Sequence, residues 1–293
     1  MFRVTTRADW DGLVSAALLS IVEDVDRYRF IEPGPFQVGE GEVTPEDIIA
    51  NLPYRHGCAL WFDHHISNKL KGVDFRGSWW VAPSAARVIY EFYNHDDSLS
   101  EFEEVVAITD RIDSASLTRD EVVNPRKLLL VSITVDGKRT VDEPYWLTLI
   151  ALLVKNDQKA LETHPQVASR CKDFLDDQER FSSLLKETAI LEKGVLITDW
   201  RGMKPPELAN RFLPFALFPD TRVWVKIIDH PQELDRTHLS VSLSIFQPVS
   251  EINVGELMAR YGGGGHRGAG TCRPYKTQAD QVLKEVVSAC QIS

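Results

Sequence analysis

The stretch MFRVTTRADWDGLVSAALLSIVEDV, residues 1–25, sets the fold. MFRVTT alternates as a short strand does, and GLVSAALLSIVEDV carries apolar residues at helical spacing among small ones. The pattern then repeats. EDIIANLPY reads as a second buried strand, ending near Asn51 because Pro53 stops it, and CALWF reads as a third, ending at Asp63. PSAARVIYEFY reads as a helix with the Ser84 hydroxyl at its N-cap. Strands that alternate with helices predict an α/β fold with a doubly wound, mainly parallel N-terminal sheet. Helical spacing returns in YWLTLIALLV and in VASRCKDFLDDQERFSSLLKETAILEK. A strand-rich region then runs through GVLITDW, RVWVKIID and HLSVSLSIF to NVGELMARYGGGGHRGAG. The change of pattern predicts two domains, 1–187 and a smaller α/β domain over 188–293.

Composition narrows the functional classes. The 293 residues are 43% hydrophobic and 26% charged, ordinary for a globular chain with a sizeable core. No apolar run approaches the roughly 20 residues that cross a bilayer, so no membrane is expected. The first residues lack the apolar core of a signal peptide. The four cysteines are scattered without a CxxC pair, which suits a reducing cytoplasm. With 33 basic against 43 acidic residues the net charge is −10, which repels a long polyanion and disfavours duplex nucleic acid. A short phosphate-bearing ligand stays compatible if a metal or a local cationic pocket offsets that charge. Composition leaves oligomeric state undetermined.

Three constellations carry chemistry. In RADWDG, Asp9 and Asp11 follow a strand just before the helix, where open α/β sheets bind ligands. Paired carboxylates suit Mg²⁺ or Mn²⁺, although Asp11 as a helix cap beside a solvated Asp9 is an equally good reading. In FDHH, Asp63, His64 and His65 end an apolar strand, as metal ligands or as a polar turn. Asp110 and Asp113, in TDRID, taken alone read as a helix end and its cap. Trp10, between the two aspartates, reads better as packing under the sheet edge than as stacking on a base. In YGGGGHRGAG, Gly262, Gly263, Gly264 and Gly265 let backbone N–H groups converge on an anion, with His266 and Arg267 adding donors and charge. A flexible loop is the alternative, and a phosphate or carboxylate clamp is favoured.

ADWDG, then FDHH, then a later aspartate, then GGGGH resembles the DHH phosphoesterase family with its C-terminal DHHA1 domain. The resemblance spans nearly the whole chain. It implies a cleft between two domains and a metal-dependent phosphohydrolase, in which metal-activated water attacks phosphorus. It places Asp9, Asp11, His64 and Asp110 among the ligands of paired Mn²⁺ or Mg²⁺ ions, with Asp63 orienting. His65 falls on the histidine that meets the substrate phosphate, and the glycine loop with His266 falls on the substrate grip. The family's histidine four residues before the first aspartate is here Thr5, its bridging aspartate is Asn51 (Asp47 being the weaker match), and its SLR arginine is Ser244. An amide bridges cations poorly, so one well-bound ion and one weak ion are expected. The implied activity is hydrolysis of an oligonucleotide or polyphosphate, exopolyphosphatase-like and slow. A phospholigand-binding or regulatory protein with weakened chemistry is the alternative.

Overall fold

A computed structural model describes residues 1–206, 210–247 and 249–291. Two compact units partition the chain: 1–117 with 125–172, and 118–124 with 173–293. The helix Pro165–Thr188 begins in the first and ends in the second. The short Arg119–Val123 helix belongs to the second unit, where Arg119 donates to the Phe215 carbonyl and lies 4.6 Å over the Phe246 ring.

The first unit is built on five strands: β1 (Phe2–Thr6), β2 (Val25–Phe30), β3 (Asp47–Ala50), β4 (Leu60–Asp63) and β5 (Gly77–Trp79). Every pairing is parallel, in the order β2-β1-β3-β4-β5. Period-two alternation divides the strand residues between two apolar layers. Ile48, Ala50, Leu60 and Phe62 face a core shared with the helices Trp10–Val22, Ala85–Tyr93 and Glu143–Val154. Ile49 and Trp61 face the opposite layer, where Phe36, Leu52 and Phe75 cover them. Burial on both faces is what a parallel sheet requires. The strand order reverses between β1 and β3, so ligands are expected beyond the carboxyl ends of those strands. There lie the loops that hold Asp9 and Asn51.

Thr5 and Asp47 point away from that edge. Asp47, fully buried at the start of β3, takes Arg3 at 2.7 Å and Arg29 at 3.2 Å. Thr5 donates to Asp47 at 2.9 Å and accepts from Arg29 at 3.1 Å. The side chain expected to mark a missing ligand is thus engaged in an ion-pair network. Burial pushes the Asp47 carboxyl up, but hydrogen bonds from Arg3, Thr44 and Thr5 bring it below the ordinary carboxylate range. A carboxyl lowered in the fold contributes stability above its unfolded pKa and loses it as pH falls through its folded pKa. Asp47→Asn is therefore expected to melt well below wild type at neutral pH, and the gap should close as both chains are acidified below the carboxylate range. Thermal melts at a series of pH values test this, and a gap constant with pH would contradict it. Thr5→His should destabilise in the same assay without adding a bound metal.

The second unit carries six strands: β6 (Ile190–Glu192), β7 (Val195–Asp199), β8 (Val223–Asp229), β9 (Thr237–Leu243), β10 (Gly264–His266) and β11 (Ala269–Cys272). Their order is β10-β11-β9-β8-β7-β6, and only β7 and β8 pair in parallel. The helices Val254–Ala259 and Ala279–Cys290 share a separate core with it. Among the described residues no helix is long and apolar enough to cross a membrane.

Candidate metal centre

Asp9 caps the first helix, accepting the Gly12 N–H at 2.9 Å. The same oxygen accepts the Asn51 side-chain amide at 3.0 Å, and the other lies 3.3 Å from Arg7. Asn51 follows β3 with a left-handed backbone, φ 55°, which asparagine tolerates better than most side chains. It stands at the edge as a donor to Asp9. Trp10 is packed in the core, its indole N–H 3.1 Å from the Thr109 hydroxyl, so it offers no stacking face.

Asp11 has the opposite environment. It is 2% exposed and accepts the N–H groups of Ala85 and Ala86, at 2.9 and 2.8 Å, at the start of the Ala85–Tyr93 helix. Burial, then Asp113 and Asp9, push its carboxyl well above the usual range, against the pull of those two amides. His64 meets Asp11 from the end of β4. Its Nδ1 lies 3.0 Å from the Ala82 carbonyl, which fixes Nδ1 as donor and leaves the Nε2 lone pair facing inward. Among the described residues that buried Nε2 has no hydrogen-bond partner, lying 3.8 Å from Asp11 and 3.5 Å from Asp113.

Asp11, His64 and Asp113 thus present one ligand atom each within 4.8 Å of one another. An orphaned imidazole lone pair between two carboxylates fits a divalent cation, which offsets the charge and completes the nitrogen's bonding. Asp113 is the member exposed to solvent, and burial and Asp9 raise its carboxyl against the pull of His64.

Asp110 lies one turn earlier in the Glu103–Asp113 helix, where other side chains engage its carboxylate. It accepts from Ser84 at 2.6 Å and pairs with Arg87 at 2.9 Å. Asp113 comes within 3.5 Å of the His64 Nε2, while Asp110 is engaged by Ser84 and Arg87. Asp63 is fully buried and holds His65 through an Nδ1 contact of 2.8 Å, while its second oxygen accepts from Asn68 at 2.7 Å. That hydrogen bond raises the His65 pKa, against the effect of burial. The half-exposed His65 ring packs edge-on against His64, with centroids 4.2 Å apart.

In the second unit the glycine run forms a hairpin, β10 against β11. A Cβ on Gly263 would lie 2.0 Å from the Thr271 carbonyl, and Gly265, at φ 152°, would meet the Ala269 carbonyl at 2.3 Å. Those two glycines permit the hairpin itself, leaving His266 and Arg267 exposed at its tip. Ser244 accepts N–H groups from Phe246 and Gln247 and closes the turn after β9.

No family model and no curated protein matches the chain. Among solved structures, the pGpG-specific phosphodiesterase PggH from Vibrio cholerae is 30% identical, with 99% of this chain and 98% of that one covered at a TM-score of 0.89. The chain belongs to the DHH phosphoesterase family. An exopolyphosphatase-related protein from Bacteroides fragilis shares the fold at 11% identity, covering 99% of this chain and 92% of that one, TM-score 0.57. RecJ from Thermus thermophilus, in complex with Mn²⁺, shares it at 12% identity, covering 98% of this chain but 52% of that one, TM-score 0.56. As a DHH phosphoesterase the chain is a metal-dependent phosphohydrolase. Within it the metal-binding geometry gathers at the carboxyl edge of the parallel sheet. In the sequence Asp113 reads only as part of a helix end and its cap, and in the fold it lies 3.5 Å from the His64 Nε2.

Proposed function

We propose that this phosphohydrolase cleaves a short linear phosphodiester, of the phosphorylated diguanylate class that PggH's name states, at one tightly held divalent ion. The observation that carries the reading is the buried, unpartnered Nε2 of His64 converging with Asp11 and Asp113. These three residues would hold the ion, and Mn²⁺ or Mg²⁺ suits their oxygen and imidazole donors. When bound, such an ion polarises a phosphoryl oxygen and acidifies an attacking water. His65, held by Asp63 through Nδ1, would bind a phosphate oxygen or supply a proton to the leaving oxygen through Nε2. Asp9, already engaged by Gly12, Asn51 and Arg7, has little left to offer a second ion, which supports one strong and one weak site.

The same Asn51 contact favours a second reading, a phospholigand-binding protein with weakened turnover. Purified protein incubated with Mn²⁺ and a linear diguanylate, a cyclic dinucleotide or polyphosphate separates the two. Mononucleotide released from the linear dinucleotide, and not by His64→Ala, is the expected result. Binding without product would select the second reading, and cleavage of polyphosphate alone would overturn the substrate class.

A further inference from the structure

We propose that the second unit holds a separate nucleotide-binding pocket, at the base of the glycine hairpin and at the end of the sheet away from its tip. The pocket is a cavity of about 540 Å³, within the roughly 300–1,000 Å³ of small-ligand sites. Its walls come from the start of β9, the end of β11, the end of the Val254–Ala259 helix and the beginning of Ala279–Cys290. The register places it. His266 pairs with Ala269, and Ala269 with Ser242, at the hairpin end. The cavity lies beyond the Cys272–Leu239 pair at the other end, where Thr237 bonds to the Pro274 carbonyl. Arg236 and Ser244 are eight positions apart on one strand and its flanks, roughly 25 Å by strand rise.

Three guanidinium groups line this cavity in a chain of net charge −10. Arg236 is held over the Tyr275 ring at 4.0 Å and paired with Glu233 at 3.0 Å. Arg273 reaches the same Glu233 at 3.4 Å and is 61% exposed. Arg260 is exposed, and among the described residues its guanidinium has no hydrogen bond or ion pair. The one carboxylate in the lining, Glu285, already accepts from Tyr261 at 3.1 Å and from Gln281. The three guanidinium groups thus outnumber the two carboxylates beside them, Glu233 and Glu285. Guanidinium forks match phosphate oxygens in two-point hydrogen bonds. Arg236 covers one face of the 45% exposed Tyr275 ring, so a base would stack on the other face. Phosphate recognition and base stacking side by side fit a mononucleotide or dinucleotide better than a bare anion.

This inference does not depend on catalysis and is tested without it. The full chain in EDTA is irradiated with a 5′-phosphorylated diguanylate carrying an azide on one base, and the labelled segments are mapped. Label on residues 274–281, falling by roughly tenfold or more in Arg260→Ala with Arg273→Ala, is the expected result. Arg260→Glu alone, a change at an exposed side chain, should reduce labelling similarly while the melting temperature stays unchanged. Label confined to the first unit or to the hairpin, label unaffected by these variants, or no label at all would each overturn the proposal. Because no metal is present, a missing hydrolytic activity leaves this result untouched.

Discussion

Asp113→Asn is expected to lose the bound ion and nearly all phosphodiesterase activity, whereas Asp110→Asn keeps both. Asp113 faces the unpartnered Nε2 of His64 at 3.5 Å, where its charge would meet a bound ion. Removing an outer partner of a metal ligand commonly costs about 10–100-fold in affinity or activity, and removing a ligand should exceed that. Asp110 serves another purpose. Its carboxylate joins Ser84 and Arg87 and ties the Glu103–Asp113 helix to the Ala85–Tyr93 helix. Arg87 keeps Glu103 as a second partner, so neutralising Asp110 should cost about 1–2 kcal/mol of stability and no ion. Elemental analysis after gel filtration in Mn²⁺, paired with denaturant unfolding, separates the two effects. Retention of the ion by Asp113→Asn, with its loss in Asp110→Asn, would reverse the assignment.

The pair shows where sequence reading reaches its limit. Asp110 and Asp113 are three residues apart on a helix and so share nearly one face. Nothing in TDRID says which one meets a histidine. The choice is made by Arg87, on another helix, which becomes a neighbour only in the folded chain. Thr5 has a similar history. Its hydroxyl is claimed by Arg29, on β2, a strand whose sequence VDRYRF hides it behind three charged residues. As an edge strand β2 buries little, so its apolar pattern is weak, and the three residues of β5 at the other edge give no pattern. The central strands were legible for the converse reason: DIIA and LWFD are buried along their whole length. The Ser84 cap was legible too, because its signal is local, and it accepts the Arg87 N–H as expected. The glycine run carried a signal for backbone freedom, and Gly263 and Gly265 use it in a local hairpin where His266 pairs with Ala269.

Asn51→Asp is expected to make the stability of the first unit depend on metal. In the wild-type chain the Asn51 amide donates to Asp9 at 3.0 Å, so the two side chains attract without any ion. Aspartate also tolerates the left-handed backbone at position 51, and the exchange is nearly isosteric. It replaces a donor by a second anion facing Asp9, with Asp11 close behind. In EDTA the variant loses one hydrogen bond to a charged group, about 1.5–3 kcal/mol, and gains a repulsion that water and salt partly screen because Asp9 is 30% exposed. With Mn²⁺ the sign reverses, since two carboxylates around one cation are attractive where one carboxylate and an amide donor are not. Thermal melts should therefore place the variant below wild type in EDTA and at or above it in millimolar Mn²⁺, with a second ion retained per chain. Equal melting shifts in both conditions would mean that position 51 does not face the metal edge. A gain in bound ions without a gain in hydrolysis would mean that the one-ion site is already the working form of this phosphohydrolase.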